Sequence, residues 1–269
     1  VTPLLKESRL RDNVWQWTFG EERIETSYGS NCTAVIGRES VLVVDPFIAP
    51  AIARKVRDAL ADKTALPVGH VVLTHHHTDH ALGAGWFARQ GAVVAAHAAC
   101  RAAMEAEHPG LVAARRQVPA LAELFRDAEP YAPSLVVGDD GVEIDLGGSQ
   151  ARVFHPGPGH TRGDLVVSFA KESVTLCGDL VSVGYHVNYE DAVVENLEHG
   201  LRALADLATE TYVPGHGVPG AAEILDAQRR YHAAIAEAAS VEEVQRRFPG
   251  YRLAEVLSQS LTVWQKSRQ

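Results

Sequence analysis

A chain of 269 residues is long enough to bury one large core or two small ones. Its 46% hydrophobic and 22% charged residues are ordinary for a folded globular protein, and no stretch approaches the ~18 consecutive apolar residues of a membrane-spanning helix. The formal net charge of −9 sets an acidic surface against phosphate backbones, so nucleic acid is not an expected partner.

Three widely spaced cysteines, Cys32, Cys100 and Cys177, form no disulfide framework and fit a reducing compartment. The opening "VTPLLKESRLRDN" shows no apolar core or small-residue cleavage site of a signal peptide. Together these predict a cytoplasmic location. Histidine is the compositional outlier, with 13 copies.

In chain order, "NVWQWTF" alternates apolar and polar residues as a half-buried strand does. "GEERIETSYGSN" is polar and turn-rich and reads as a hairpin loop. "CTAVIG" and "SVLVVD" read as strands. From Pro50 to Lys63 the four-residue repeat of Ile52, Val56 and Leu60 predicts a helix. "HVVLT" is a short strand running into "HHHTDH"; "ALGAGWFARQG" is a helix ended by Gly91, and "AVVAAH" a further strand. Ala98 to Asp127 is helical, with Pro109 and Pro119 as expected breaks. After "EPYAPS" a second group of strands follows: "LVVG", "VEIDL", "ARVFH", "LVVSF" and "SVTLC". Val193 to Ala208 is a helix, "TYVP" a last strand, and the rest is helical.

Two strand groups, each followed by helices, predict an α/β protein built as a four-layer αβ/βα sandwich. Residues 1–239 are assigned to the main domain and 240–269 to a helical extension packed on it. Leu253, Leu257, Leu261 and Trp264 form an apolar stripe there, read as core packing that also permits a homodimer.

The histidine cluster is the chemical signal. In an extended segment His75 and His77 point one way and His76 the other, because strand periodicity is two. Asp79 and His80 follow where a helix should begin, and so turn towards a second point nearby. Neutral imidazole and carboxylate suit a borderline metal such as Zn²⁺. Three later segments share one form, a strand, a tight turn and a ligand-type residue: "HPGPGHTRGD" with His160, "LCGDL" with Asp179 and "VPGHG" with His216.

In order and spacing, "HHHTDH", "GPGHT", "CGDL" and "PGHG" resemble the metallo-β-lactamase superfamily, from about Asn13 to His216. The resemblance implies a metal pair in a cleft between two sheets. It implies that His75, His77 and His160 hold one metal, that Asp79, His80 and His216 hold the other, and that Asp179 bridges them. The metals expected are two Zn²⁺, with iron or manganese as alternatives. Asp45 resembles the family's aspartate that orients a ligand; His76 matches no ligand position, and His97 is read as structural.

Two such ions about 3.5–4 Å apart share a water, and zinc lowers its pKa to about 7, which makes hydroxide available for attack on a carbonyl. Asp79 would shuttle a proton. True β-lactamases of this superfamily often carry cysteine at the bridging position and lysine three residues on. Here Asp179 and Ser182 stand there, which weighs against a dedicated β-lactamase; the aspartate resembles that of the lactonases, glyoxalase II-type thioesterases and phosphodiesterases. A small-molecule substrate is therefore expected, first a lactone or related cyclic ester or amide. A glyoxalase II-like thioesterase, or a lactamase-like enzyme with weak β-lactam hydrolysis, is the alternative. The polar loop "SVGYHVNYED" should line the pocket, with Tyr185 the first candidate donor to the oxyanion and Tyr189 and Asn188 behind it. The loop from Tyr28 to Asn31 would form the opposite lip, and Arg162 is a candidate anion contact.

His76→Ala is expected to leave metal content unchanged, whereas His75→Ala and His77→Ala each lower it; metal analysis of the purified variants checks this.

Overall fold

A computed structural model describes residues 4–267; the first three residues and the last two lie outside that range. The first sheet takes β1 (Lys6–Arg11), β2 (Val14–Thr18), β3 (Asn31–Ile36), β4 (Val41–Val44), β5 (Val68–Val72), β6 (Val93–His97) and β7 (Leu135–Val137), in that spatial order. Its first four strands are antiparallel, and β4 to β7 are parallel. The second sheet holds β8 (Val142–Asp145), β9 (Gln150–Phe154), β10 (Val166–Phe169), β11 (Val174–Leu176) and β12 (Thr211–Val213), ordered β12-β11-β10-β9-β8. Only β11 and β12 pair in parallel there.

Helices supply the outer layers. They are α1 (Pro50–Ala61), α2 (Thr78–Ala81), α3 (Ala84–Arg89), α4 (Ala98–Gln117), α5 (Pro119–Ala122) and α6 (Leu197–Ala205), followed by α7 (Glu223–Glu237), α8 (Val241–Arg247) and α9 (Leu257–Lys266). Strand β4 shows how the layers are held. All four of its residues are buried. Val41 and Val43 pack outward with Ile52, Val56 and Leu60 of α1, and Leu42 and Val44 pack inward against Val153, Val167 and Leu176 of the second sheet. A strand covered on both faces has to be apolar throughout, which is why "VLVV" lacks the usual alternation. The second sheet is covered by Leu201 and Leu204 of α6 and by Ile224 and Leu225 of α7. The architecture is thus the four-layer αβ/βα sandwich.

Three expectations change. The sequence pattern places "LVVG" with the second group of strands, but β7 closes the far edge of the first sheet, parallel to β6. The α4 crossover between them is the connection that parallel neighbours require. Pro109 lies inside the 20-residue helix α4 without ending it, whereas Pro119 opens α5 at its first turn. The hairpin loop contains a 3-10 turn over Ile24–Gly29, with Ser27 and Tyr28 at φ 55° and 52°.

The terminal stripe folds inward: Leu257 and Leu261 pack with Val187, Tyr189 and Tyr231. No helix among the described residues is long and apolar enough to cross a membrane.

Leu42 is fully buried between the sheets. Leu42→Ala is expected to cost roughly 2–5 kcal/mol, the transfer term plus a cavity, read from the urea midpoint of unfolding.

Candidate metal centre

The strand directions bring the chemistry to one edge. Strands β4 and β5 are parallel, so Asp45 and the segment His75–His80 leave the first sheet at the same end. In the second sheet β9 and β11 both run antiparallel to β10, and β12 is parallel to β11. The loops carrying His160, Asp179 and His216 therefore also emerge together. All seven candidate ligands meet in one cleft mouth between the sheets.

They meet as two sets. His75, His77, His160 and Asp179 bring one ligand atom each within 4.8 Å of one another, as do Asp79, His80 and His216. Within the first set, His160 Nε2 is 3.0 Å from His77 Nδ1 and 3.5 Å from Asp179 Oδ2. Within the second, Asp79 Oδ2 is 3.3 Å from His80 Nε2 and 3.2 Å from His216 Nε2. Asp179 faces both, because its Oδ1 lies 3.3 Å from His80 Nε2 and its Oδ2 lies 3.5 Å from His216 Nε2. The close approach depends on Gly215, where a Cβ would collide with Asp179 Oδ1.

The outer hydrogen bonds fix which ring nitrogens point inward. Thr74 Oγ1 donates to Asp45 Oδ2 at 2.6 Å, so it accepts from His75 Nδ1 at 2.9 Å and leaves the Nε2 lone pair of His75 facing the cluster. His80 Nδ1 donates to Asp45 Oδ2 at 3.0 Å, and His216 Nδ1 donates to the Tyr28 carbonyl at 3.2 Å. His77 is reversed: Nε2 donates to Asp191 Oδ2 at 3.0 Å, and Nδ1 turns inward. Four imidazoles are thus held by an outward N–H with their lone pairs converging, an arrangement typical of metal-binding histidine.

The donor set fits a metal ion. His75 Nε2 and Asp179 Oδ1 are buried without a hydrogen-bond partner. The His80 and His216 Nε2 atoms face each other at 3.3 Å, a repulsive contact between two lone pairs unless a cation or a proton lies between them. A tetrahedral ion with metal–nitrogen distances of ~2.0–2.1 Å separates its ligand atoms by about 3.3–3.4 Å, close to the spacings here.

Without metal, protons carry part of this charge. Burial opposes it, but the Asp79 and Asp179 carboxylates raise His80 well above the usual histidine range and raise His216 to about 9. Burial pushes His160 down to about 3, and burial with four neighbouring imidazoles holds His75 well below its ordinary value. Against burial, His80 and His216 hold both carboxylates well below the normal range. A metal ion would displace the protons on His80 and His216.

Around these atoms lies a cleft of about 560 Å³. Tyr28 forms one lip, and His108, Leu111 and Arg115 of α4 form a wall; Val187, Asn188, Leu253 and Val256 lie opposite. Tyr185 does not serve as expected. Its hydroxyl is bonded to Arg252 Nη1 at 2.8 Å and its ring backs His216 at 5.3 Å between centroids, so it supports a ligand from behind and does not line the cleft. Tyr189 is fully buried against Trp264, and Arg162 is exposed away from the cleft. His76 turns away from both sets; its Nε2 lies 3.5 Å from Asp191 and 3.6 Å from Glu107. His97 accepts from Ala99 N at 3.2 Å to cap α4 and stacks on His155. Cys177 is buried, and burial pushes its thiol up.

Four contributors were not read from the sequence. Thr74 transmits the Asp45 contact to His75, Asp191 orients His77, Arg115 lines the wall, and His186 enters the cleft one residue after Tyr185. The polar loop after Asp179 held the signal for His186 and Asp191. Nothing local marked Arg115, on a distant helix.

Residues 26–216 match the family model for the metallo-beta-lactamase superfamily. The chain is 28% identical over 216 residues to the 2,4-dinitroanisole O-demethylase subunit alpha of Nocardioides sp. strain JS1661, covering 80% of this chain and 58% of that protein. It is 29% identical over 165 residues to the hydroxyacylglutathione hydrolase of Methylococcus capsulatus, covering 61% and 53%. The chain thus spans little more than half the length of these curated relatives. A solved metallo-beta-lactamase from Pontibacter korlensis superposes with a TM-score of 0.65 at 21% identity, over 83% of this chain and 96% of that one. With the family match running from the lip before β3 to the last ligand at His216, the chain belongs to the metallo-beta-lactamase superfamily of metal-dependent hydrolases.

Proposed function

We propose that the protein is a binuclear zinc hydrolase acting on a small, uncharged carbonyl substrate, with a lactone or related cyclic ester or amide first. The observation that carries this reading is the pair of adjacent donor sets sharing Asp179. His75, His77 and His160 would hold one ion, Asp79, His80 and His216 the other, with Asp179 common to both. When bound, such a pair supplies hydroxide at neutral pH and a Lewis acid for a carbonyl oxygen.

The chain's own residues do the rest. Asp79 lies against His80 and His216 and can pass a proton towards the leaving group. Leu111, Val187, Leu253 and Val256 give the cleft apolar walls, which hold a small substrate and keep bulk water from the reacting bond. The mouth carries Glu107, Glu190, Asp191 and Glu255 against Arg115. That balance repels an anionic substrate.

The second reading, a thioesterase of the hydroxyacylglutathione hydrolase type, is favoured by the 29% identity to that enzyme. The acidic mouth supports the neutral substrate over a glutathione thioester. A β-lactam carboxylate would have to use Arg115, since Ser182 replaces a lysine beyond the bridge.

Metal analysis with a panel of lactones, β-lactams and S-lactoylglutathione tests the proposal. Two zinc ions per chain and lactone turnover are expected. His77→Ala and Asp179→Ala should each lower activity by at least about 10²-fold. Less than one metal per chain, or activity surviving both substitutions, would overturn the mechanism. Thioester turnover alone would select the second reading. Asp45→Ala removes the acceptor of both Thr74 and His80 and is expected to weaken metal affinity by roughly 10–100-fold, read by competition with a chelating dye.

A further inference from the structure

We propose that His186 is a catalytic residue that donates a hydrogen bond from Nε2 to the substrate oxygen that gains negative charge during carbonyl attack. The role rests on the hydrolase reading above and adds a group that the ligand set does not contain.

His186 lines the same cleft as Asp79, Asp179 and His216. The residue is 2% exposed, so its ring is fixed by packing. It packs against the stacked pair Tyr231 and Tyr251, at centroid distances of 5.9 and 5.4 Å. Its backbone is tied as well, with the amide donating to the Arg252 carbonyl at 2.8 Å. A donor held on both counts pays no reorganisation when charge develops, which is the condition for oxyanion stabilisation.

The tautomer follows from the neighbouring bonds. His186 Nδ1 is 3.0 Å from the Tyr231 hydroxyl. The Tyr231 hydroxyl is buried and has no other hydrogen-bond partner among the described residues. The hydroxyl proton is then left for Nδ1, which places the ring hydrogen on Nε2. Nε2 has no hydrogen-bond partner among the described residues and is not among their buried unpartnered atoms. The unused donor therefore belongs to the cleft side of the ring. Burial lowers the pKa of His186 to about 4, so the ring is neutral at pH 7. It donates a hydrogen bond without giving up its proton, and no bond to hydrogen has to break.

The same packing explains why Tyr185 is not this donor. Strand-like alternation at the bridge between Tyr185 and Arg252 sends neighbouring side chains to opposite sides. Tyr185 goes to Arg252, and His186 goes to the cleft.

The test uses zinc-loaded protein and three variants. In the wild type, long-range ¹H–¹⁵N correlation should show the Nε2–H tautomer at His186, and Tyr231→Phe should disturb it. His186→Leu should lose about 10²-fold in kcat with KM, zinc content and melting temperature near wild type. His186→Gln, which keeps an N–H donor, should recover most of that loss. A wild-type Nδ1–H tautomer would overturn the proposal, as would a zinc-loaded leucine variant with kcat within about threefold of wild type. If the leucine variant loses zinc or unfolds, the glutamine variant and the tautomer decide, and a folded glutamine variant as inactive as leucine counts against the role. A wild type that turns over no member of the panel removes the hydrolase reading itself, and this role with it.

Discussion

Seven donor atoms with their lone pairs or negative charge turned towards two adjacent points are the constraint on which this structure depends. Packed this closely such an arrangement is unfavourable by itself, because each lone pair repels its neighbour and the buried His75 Nε2 and Asp179 Oδ1 have no hydrogen-bond partner. It persists because every ring but His160 is pinned from outside. Asp45 is the hub of that outer layer. One carboxylate accepts from the Thr74 amide, the Thr74 hydroxyl and His80. Through Thr74 it also sets His75, so one residue at the end of β4 orients a ligand from each set. Asp45 holds φ 55°, a left-handed conformation that costs a non-glycine residue about 1–3 kcal/mol. The backbone strain is offset by the three hydrogen bonds that the carboxylate accepts.

The fold makes this hub possible by the direction of its strands. Parallel β4 and β5 deliver the carboxylate and the histidine run to the same edge, and the alternation of β9, β10 and β11 delivers the other sheet's loops opposite. Two covered sheets form a rigid frame, since the packing between them is apolar and complete. Loops that hold ligands can then be short and tight, as glycine at position 215 shows. A larger residue there would push Asp179 off its shared position.

What was legible in the sequence follows from what is local. The split of "HHHTDH" into two ligand sets rests on period-two geometry and a helix start, both written within seven residues. The later ligands share the pattern of strand, tight turn and donor. The sandwich was legible for the same reason, since strand and helix periodicities are local. The edge position of β7 was not, because which sheet a strand joins is decided by the crossover that leads to it. Pro109 was misread for a related reason: α4 is held by Cys100, Met104, His108 and Val112 against the core, and packing outweighs one missing backbone bond. In the loop after Asp179 the composition indicated polar lining, but composition carries no side-chain direction. The bridge to Arg252 supplies it, and it reverses the roles of Tyr185 and His186.

That bridge also gives the C-terminal helices a part in the site. Gln228 of α7 accepts from the Ser182 amide at 3.0 Å, Tyr231 of α7 orients His186, and Ser260 of α9 accepts from the Tyr189 amide while donating to the Val187 carbonyl. The loop from Ser182 to Tyr189 is therefore held along its length by side chains from beyond the last ligand. The half of the cleft that carries the candidate donors is built from strand ends within residues 26–216. The wall facing it is set by elements outside that span. Changes in α7 to α9 can reshape that wall without touching a ligand. Relatives named as an O-demethylase subunit and a hydroxyacylglutathione hydrolase fit that separation.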